Sequence, residues 1–316
     1  MAVSATKTIV KAVSSSRRPL GTLVVIALVV GLLGVVGPSH AETGIVRIVI
    51  PGALAAPTGT SADGQVTLRI GVGLPVFEVN ASGAVLRGPI ATATFAQWSD
   101  TVLTPNFGPP STLMVFRLPD GSMVIAAGAL TSNGFMDTTF SATAPYETLS
   151  GAWDITTGAT PADARVTFTY DTNPHIKSTG LARFVAGGAL TSVVTKPIPA
   201  VASVDALRNV PVFDVANNAK AAALGELAGH SAYNIAGHAA EFVELRTIHL
   251  LNANLFLLYG CAFPNPSSGI ACLVGGTGFA THISGPLGQI AGTFRKGTIS
   301  GVTDADLVLE MNVSLP

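Results

Sequence analysis

The chain has 316 residues, a net charge of −1, and only 11% charged residues. It has no basic stripe, so it lacks the electrostatic footprint of a nucleic-acid binder, and no such partner is expected. Once an N-terminal segment is set aside, it is long enough for two domains of about a hundred residues each.

That N-terminal segment reads as an export signal. Lys7, Lys11 and the Arg17-Arg18 pair precede the apolar run TLVVIALVVGLLGVVG, and PSHA follows with small residues at Ser39 and Ala41. A charged stretch, an apolar stretch and a small-x-small site make a cleavable signal peptide, here residues 1–41. The apolar run is shorter than the roughly 20 residues a spanning helix needs, so no stable membrane span is expected after processing. SRRPLG is similar to a twin-arginine signal, with Pro19 and Gly21 departing from it, and both export routes stay open. The expected location is periplasmic or extracellular, in a bacterium.

From about residue 42 onward, short runs of Val, Ile, Thr and Phe are punctuated by Gly and Pro about every ten residues, the pattern of an all-β sandwich or barrel. An outer-membrane barrel needs aromatic girdles and alternating strands. Aromatics are only 6% here, and runs such as NLFLLYG are apolar on both faces.

The first strand with chemistry in it is LPVFEVNASG, residues 74–83. Alternation puts Val76, Glu78 and Asn80 on one face and Pro75, Phe77 and Val79 on the other. If the first set points into a barrel, Glu78 and Asn80 share an apolar lumen, and burial raises the carboxyl toward proton-transfer range. Trp98 is a candidate ligand contact, with Trp153 and Tyr146 beside it at a cavity mouth.

The stretch then recurs. VPVFDVANNA, residues 210–219, sets Pro211, Phe213 and Asp214 against Pro75, Phe77 and Glu78, with Ala216 in the place of Asn80. Downstream, MVIAAGALTSNGF matches IACLVGGTGFA, and SGAWDITTGATPADARVTFTY matches GTISGVTDADLVLEMNV. Two copies of one supersecondary unit are the economical reading. They are expected at 66–172 and 203–316, as a pseudo-dimer within the chain, with further oligomerisation left open. Residues 173–202 between them read as a linker with room for a strand pair.

Late in the chain, Glu244 and Arg246 alternate onto one face of AEFVELRTIHLL, where a solvated ion pair is expected. His230, His238 and His249 lack metal-ligand spacing, and no metal or cofactor is expected. Cys261 and Cys272 flank a loop rich in Pro, Asn and Gly; a disulfide is expected in an exported protein, against the alternative of two buried thiols.

LGELAGHSAYNI, LVGGTGFATHISG and DADLVLEMNV together resemble the allene oxide cyclase/dirigent superfamily of small β-barrels, and VFEVN resembles the opening strand of the cyclases. The resemblance implies an all-β chain of two tandem antiparallel β-barrels. It implies that Glu78 promotes epoxide opening while Asn80 helps hold water and epoxide, an isomerase or cyclase reaction. It also matches Asp214 to the acidic position of the dirigents. Their arginine after the glycine hairpin is missing, since Ser284 stands near that place. Two functions follow as expectations: a lumen that binds an apolar small molecule, or a non-catalytic structural or adhesive envelope protein with filled barrels.

Overall fold

The structure is a computed structural model. It describes residues 43–103, 111–130, 136–142, 149–172, 178–250, 255–261, 270–276 and 299–315. Residues 1–42, Tyr146 and Ser284 lie outside the described residues.

Among these the chain is all-β, apart from a single 3-10 turn at Ala53–Ala55. The first sheet contains β1 (Thr43–Ile50), β2 (Thr58–Thr60), β3 (Val66–Val79), β4 (Val85–Asp100), β5 (Ser111–Arg117), β6 (Met123–Leu130), β7 (Met136–Ala142), β8 (Leu149–Thr157) and β9 (Ala164–Thr172). Strands β3 to β9 pair antiparallel in sequence order; β9 then pairs with β1, and β1 pairs back onto β3. Eight strands thus form a nearly closed, barrel-like antiparallel sheet, with little open edge left along them.

The second sheet contains β10 (Ser178–Ala186), β11 (Val194–Ile198), β12 (Ala202–Ala216), β13 (Ala219–Tyr233), β14 (Val243–Leu250), β15 (Leu255–Cys261), β16 (Ile270–Gly276) and β17 (Leu307–Leu315). Its order is β16-β15-β14-β13-β12-β10-β17, with β11 on β12. Residues 173–202 are therefore more than a linker: β10 and β11 both pair with β12, not with each other. Likewise β1 and β2, ahead of residue 66, belong to the first sheet.

The two sheets share their opening register. Ile48 and Val49 face Glu78 and Phe77; Phe184 and Val185 face Asp214 and Phe213. Counting outward from β3 and β12, β16 answers β7. The sequence match of MVIAAGALTSNGF to IACLVGGTGFA is thus one strand out of step. Both segments are short apolar runs ending in glycine, so composition alone cannot fix the count.

A bulge breaks each long strand at the same place. It falls between Gly71 and Leu74 in β3, and between Leu207 and Val210 in β12. Gly73 (φ 69°) and Asn209 (φ 50°) take the left-handed backbone there, which Gly adopts freely and Asn tolerates. Before the bulges, Val66, Leu68 and Ile70 on β3 and Ala202, Val204 and Ala206 on β12 point outward into one shared core between the sheets. After them, Val76 and Val210 point inward, into separate cores. Strand β5 is buried on both faces for the same reason: Leu113 and Val115 face the other sheet, while Met114 and Phe116 fill the barrel.

Polar ties flank this shared core. The side chain of Asp100 is fully buried and holds four donors: Arg208 Nε (2.8 Å) and Nη2 (3.0 Å), His230 Nε2 (3.0 Å) and the Val102 amide (2.9 Å). Arg117 pairs with Glu241, and Thr94 donates to the same carboxylate at 2.9 Å.

The cysteines lie on paired strands. Cys261 faces Ile270 and Cys272 faces Tyr259, so the two cysteines are diagonal neighbours rather than directly opposed. Diagonal positions are about 7–8 Å apart, beyond the usual disulfide span of about 4.4–6.8 Å, so a bridge requires the strand pair to close up. Titration of the unfolded, unreduced mature protein is expected to find no free thiol; a count of two contradicts the disulfide.

Candidate functional site

The two predicted carboxylate sites sit at one end of each sheet. Glu78 faces Ile48, an inward residue of β1, so its inner-face assignment agrees with the register. It is not buried there, however. Its side chain is 23% exposed and pairs with Arg87 across the β3–β4 ladder. Asn80 is not its neighbour in a lumen: it is exposed in the hairpin turn, where Oδ1 accepts the Ser82 amide (3.0 Å), the Ser82 hydroxyl (2.7 Å) and the Ala84 amide (3.0 Å). The expected buried Glu78–Asn80 pair is corrected accordingly, because the strand reaches the barrel mouth at Glu78 and turns at Asn80. Glu78→Gln should change stability by about 0–1 kcal/mol, the usual worth of a solvated pair. A urea titration checks this, and a loss several times larger contradicts it.

Asp214 stands in the matching place, opposite Phe184, and accepts the amide of Val215 at 2.8 Å. Trp98 is also corrected. It is 1% exposed, within the core between the sheets, and stacks on His230 with ring centroids 6.2 Å apart. Alternation put it on a face but could not tell which face looks into the barrel. Trp153 does face inward, where Nε1 donates to the Ala127 carbonyl at 2.9 Å.

The inner face of the first sheet carries a hydrophobic cluster. Phe95, Met114, Phe116, Trp153 and Phe168 pack together with Ile48 and Val166. Phe116 and Phe168 meet edge to face at 5.7 Å.

A second polar cluster was not expected, although two of its members were seen in sequence. On β14, Val243 and Leu245 face the core between the sheets, while Ile248 and Leu250 face the inner core of the second sheet. Glu244 and Arg246 share the second parity and so lie on the inner face. They do pair, at 2.7 Å, but the expected solvated pair is corrected: the Glu244 side chain is only 13% exposed. Asp205 on β12 and Ser231 on β13 lie in the same cross-strand row as Glu244. Tyr233 Oη donates to Asp205 Oδ1 at 3.1 Å, and Thr195 Oγ1 donates to the same atom at 2.7 Å.

Burial pushes the Glu244 carboxyl above its ordinary value of 4.5; the charge and hydrogen bond of Arg246 oppose this, and the charge of Asp205 adds to it. Burial likewise raises the Tyr233 phenol. The cluster can therefore keep a proton on Glu244 nearer neutral pH than a solvated glutamate does.

The equivalent row of the first sheet is Arg69, Gln97 and Thr112. Its members satisfy one another: Arg69 donates to Thr58 Oγ1 (3.3 Å) and Gln97 Oε1 (3.4 Å), and Gln97 donates to Thr112 Oγ1 (3.4 Å). Counted from these rows, Thr112 stands where the second sheet has Glu244, and Met114 where it has Arg246. The useful signal in the sequence was the pair of charges at alternate positions of an otherwise apolar strand.

No group of three or more His, Cys, Asp or Glu among the described residues could hold a metal ion. No helix among them is long and apolar enough to cross a membrane. Comparison of the chain with protein-family models, curated proteins and solved structures finds no match in any of the three.

Proposed function

We propose that the chain is an exported protein of two tandem barrels of the allene oxide cyclase/dirigent type, and that it binds an apolar small molecule on the inner face of the second. The first barrel braces the second across the shared core. The ligand's apolar body lies against Val210, Leu227, Ile248 and Leu250, and its polar end meets Glu244, Tyr233 and Arg246. The observation that carries the reading is the cluster of Asp205, Tyr233, Glu244 and Arg246, where the first barrel has Arg69, Ser99, Thr112 and Met114. Buried polar groups are costly unless paired; the equivalent row of the first sheet is polar too, but only the second sheet places a carboxylate and a guanidinium there, where the first has Thr112 and Met114. Duplication supports this division, since one copy can drift to a filled scaffold while the other keeps a site.

The packed hydrophobic cluster on the inner face of the first sheet favours a second reading, a structural or adhesive envelope protein that works through its outer surface. Native mass spectrometry of the mature protein purified from its exported fraction separates the two. The binding reading expects an apolar adduct that organic extraction removes and that Glu244→Gln lowers at least tenfold. A bare mass in both proteins favours the structural reading.

A further inference from the structure

We propose a second ligand site, a trough on the outside of the first barrel that takes a free anionic amphiphile, its tail in the trough and its carboxylate on Arg165. The trough has a volume of ≈ 410 Å³ and lies where β1, the β3–β4 hairpin and the β8–β9 hairpin meet. That volume falls within the range of about 300–1,000 Å³ typical of small-molecule pockets. Val49, Pro51, Phe77, Val79 and Val85 give it an apolar wall, and Ser82, Thr157 and Asp163 also line it. Val85 and its neighbour Leu86 are each 59% exposed, so the apolar surface continues beyond the rim.

Arg165 supplies the polar end. Nη2 donates to the carbonyls of Asn80 (3.2 Å) and Ala81 (2.6 Å), which pins the guanidinium at the hairpin. No carboxylate among the described residues pairs with it. The nearby acids are otherwise placed: Asp163 at the trough accepts the Gly52 amide at 3.0 Å, and Glu78 is paired with Arg87. Asp154 stands opposite Thr167, two positions along β9 from Arg165, and pairs with no cation among the described residues. A second guanidinium, Arg47, shares the outer face, because Arg47 faces Thr167 and Val49 faces Arg165. A pinned guanidinium with unused donors beside an apolar trough suits a planar carboxylate, which it can meet with two parallel hydrogen bonds. Pinning also lowers the ordering cost of binding.

The test is calorimetric titration of the mature protein with dodecanoate below its micelle concentration, beside dodecyltrimethylammonium, which has the same tail and the opposite charge. The expected result is one saturable dodecanoate site, with the cation at least tenfold weaker. Arg165→Gln and Val85→Asp should each weaken dodecanoate at least tenfold. Val85 is exposed, so its variant keeps the fold even if Arg165→Gln loosens the hairpin, and circular dichroism checks both. Glu244→Gln alters the inner-face site and is the contrast: loss of dodecanoate binding there, with wild-type binding by Val85→Asp, would place the amphiphile on the inner face of the second sheet and overturn the proposal. Equal binding of the two amphiphiles, or wild-type binding by Val85→Asp, overturns the proposal.

Discussion

Asp100→Ala should destabilise the mature protein by about 3–5 kcal/mol, the usual loss when one partner of a buried ion pair is removed. The cost arises because Arg208 and His230, donated by the second sheet, are left buried without their acceptor. The effect should also appear as loss of a single cooperative transition, since this carboxylate ties one sheet to the other. Burial alone would raise the Asp100 carboxyl, but hydrogen bonds from His230, Arg208 and the Val102 amide overcome it and lower the pKa from 3.8 to about 2. For an acid with a depressed folded pKa, the stabilisation is complete well above the unfolded value. It is lost as pH falls from about 3.8 toward about 2. Urea unfolding between pH 2 and 7 measures this. A loss below about 1 kcal/mol for Asp100→Ala, in the range of solvated pairs, contradicts the joint.

The double variant Glu244→Thr with Arg246→Met should gain stability and lose ligand. It installs the residues that the first barrel carries at the equivalent positions. Replacing a buried pair with packed residues of similar size is neutral or stabilising, by about 1–4 kcal/mol. The wild type should also show a slope that the variant lacks. The folded pKa of Glu244 lies above 4.5, so the folded state holds the proton longer than the unfolded chain does. The contribution of Glu244 to stability therefore declines as pH rises from 4.5 through the folded value, and the variant removes this decline. A variant that is less stable than wild type and still carries ligand contradicts the proposed site on the inner face of the second sheet.

Much of the architecture was legible because the chain repeats a strand with a carboxylate in a fixed slot. Glu78 and Asp214 do occupy equivalent registers, opposite Ile48 and Phe184. Strand TGIVRIVI precedes the segment that echoes, so the echo does not assign it to the first sheet; its counterpart in the second sheet, β10, falls in the linker for the same reason. What alternation could not supply was the identity of each face. In a half-buried sheet the apolar face is the core, but β5 is buried on both faces, and β4 sends Phe95 inward and Trp98 toward the other sheet. Trp98 was therefore put at a cavity and Glu244 in solvent, each on the wrong side of a wall that the sequence does not mark. The bulges added to this, since Asn209 at a left-handed position shifts every side chain after it without a glycine to announce the change.

The account rests on a carboxyl that burial holds above its ordinary pKa on the inner face of the second sheet. The most direct test is a titration of the mature protein with carboxyl-labelled glutamate, followed by carbon NMR, with Glu244→Gln to assign the signal. The account predicts that the Glu244 carboxyl titrates above 4.5, apart from the solvated glutamates. Titration at or below that value, together with the signal of a solvated ion pair, would place Glu244 on an outer surface and remove the site.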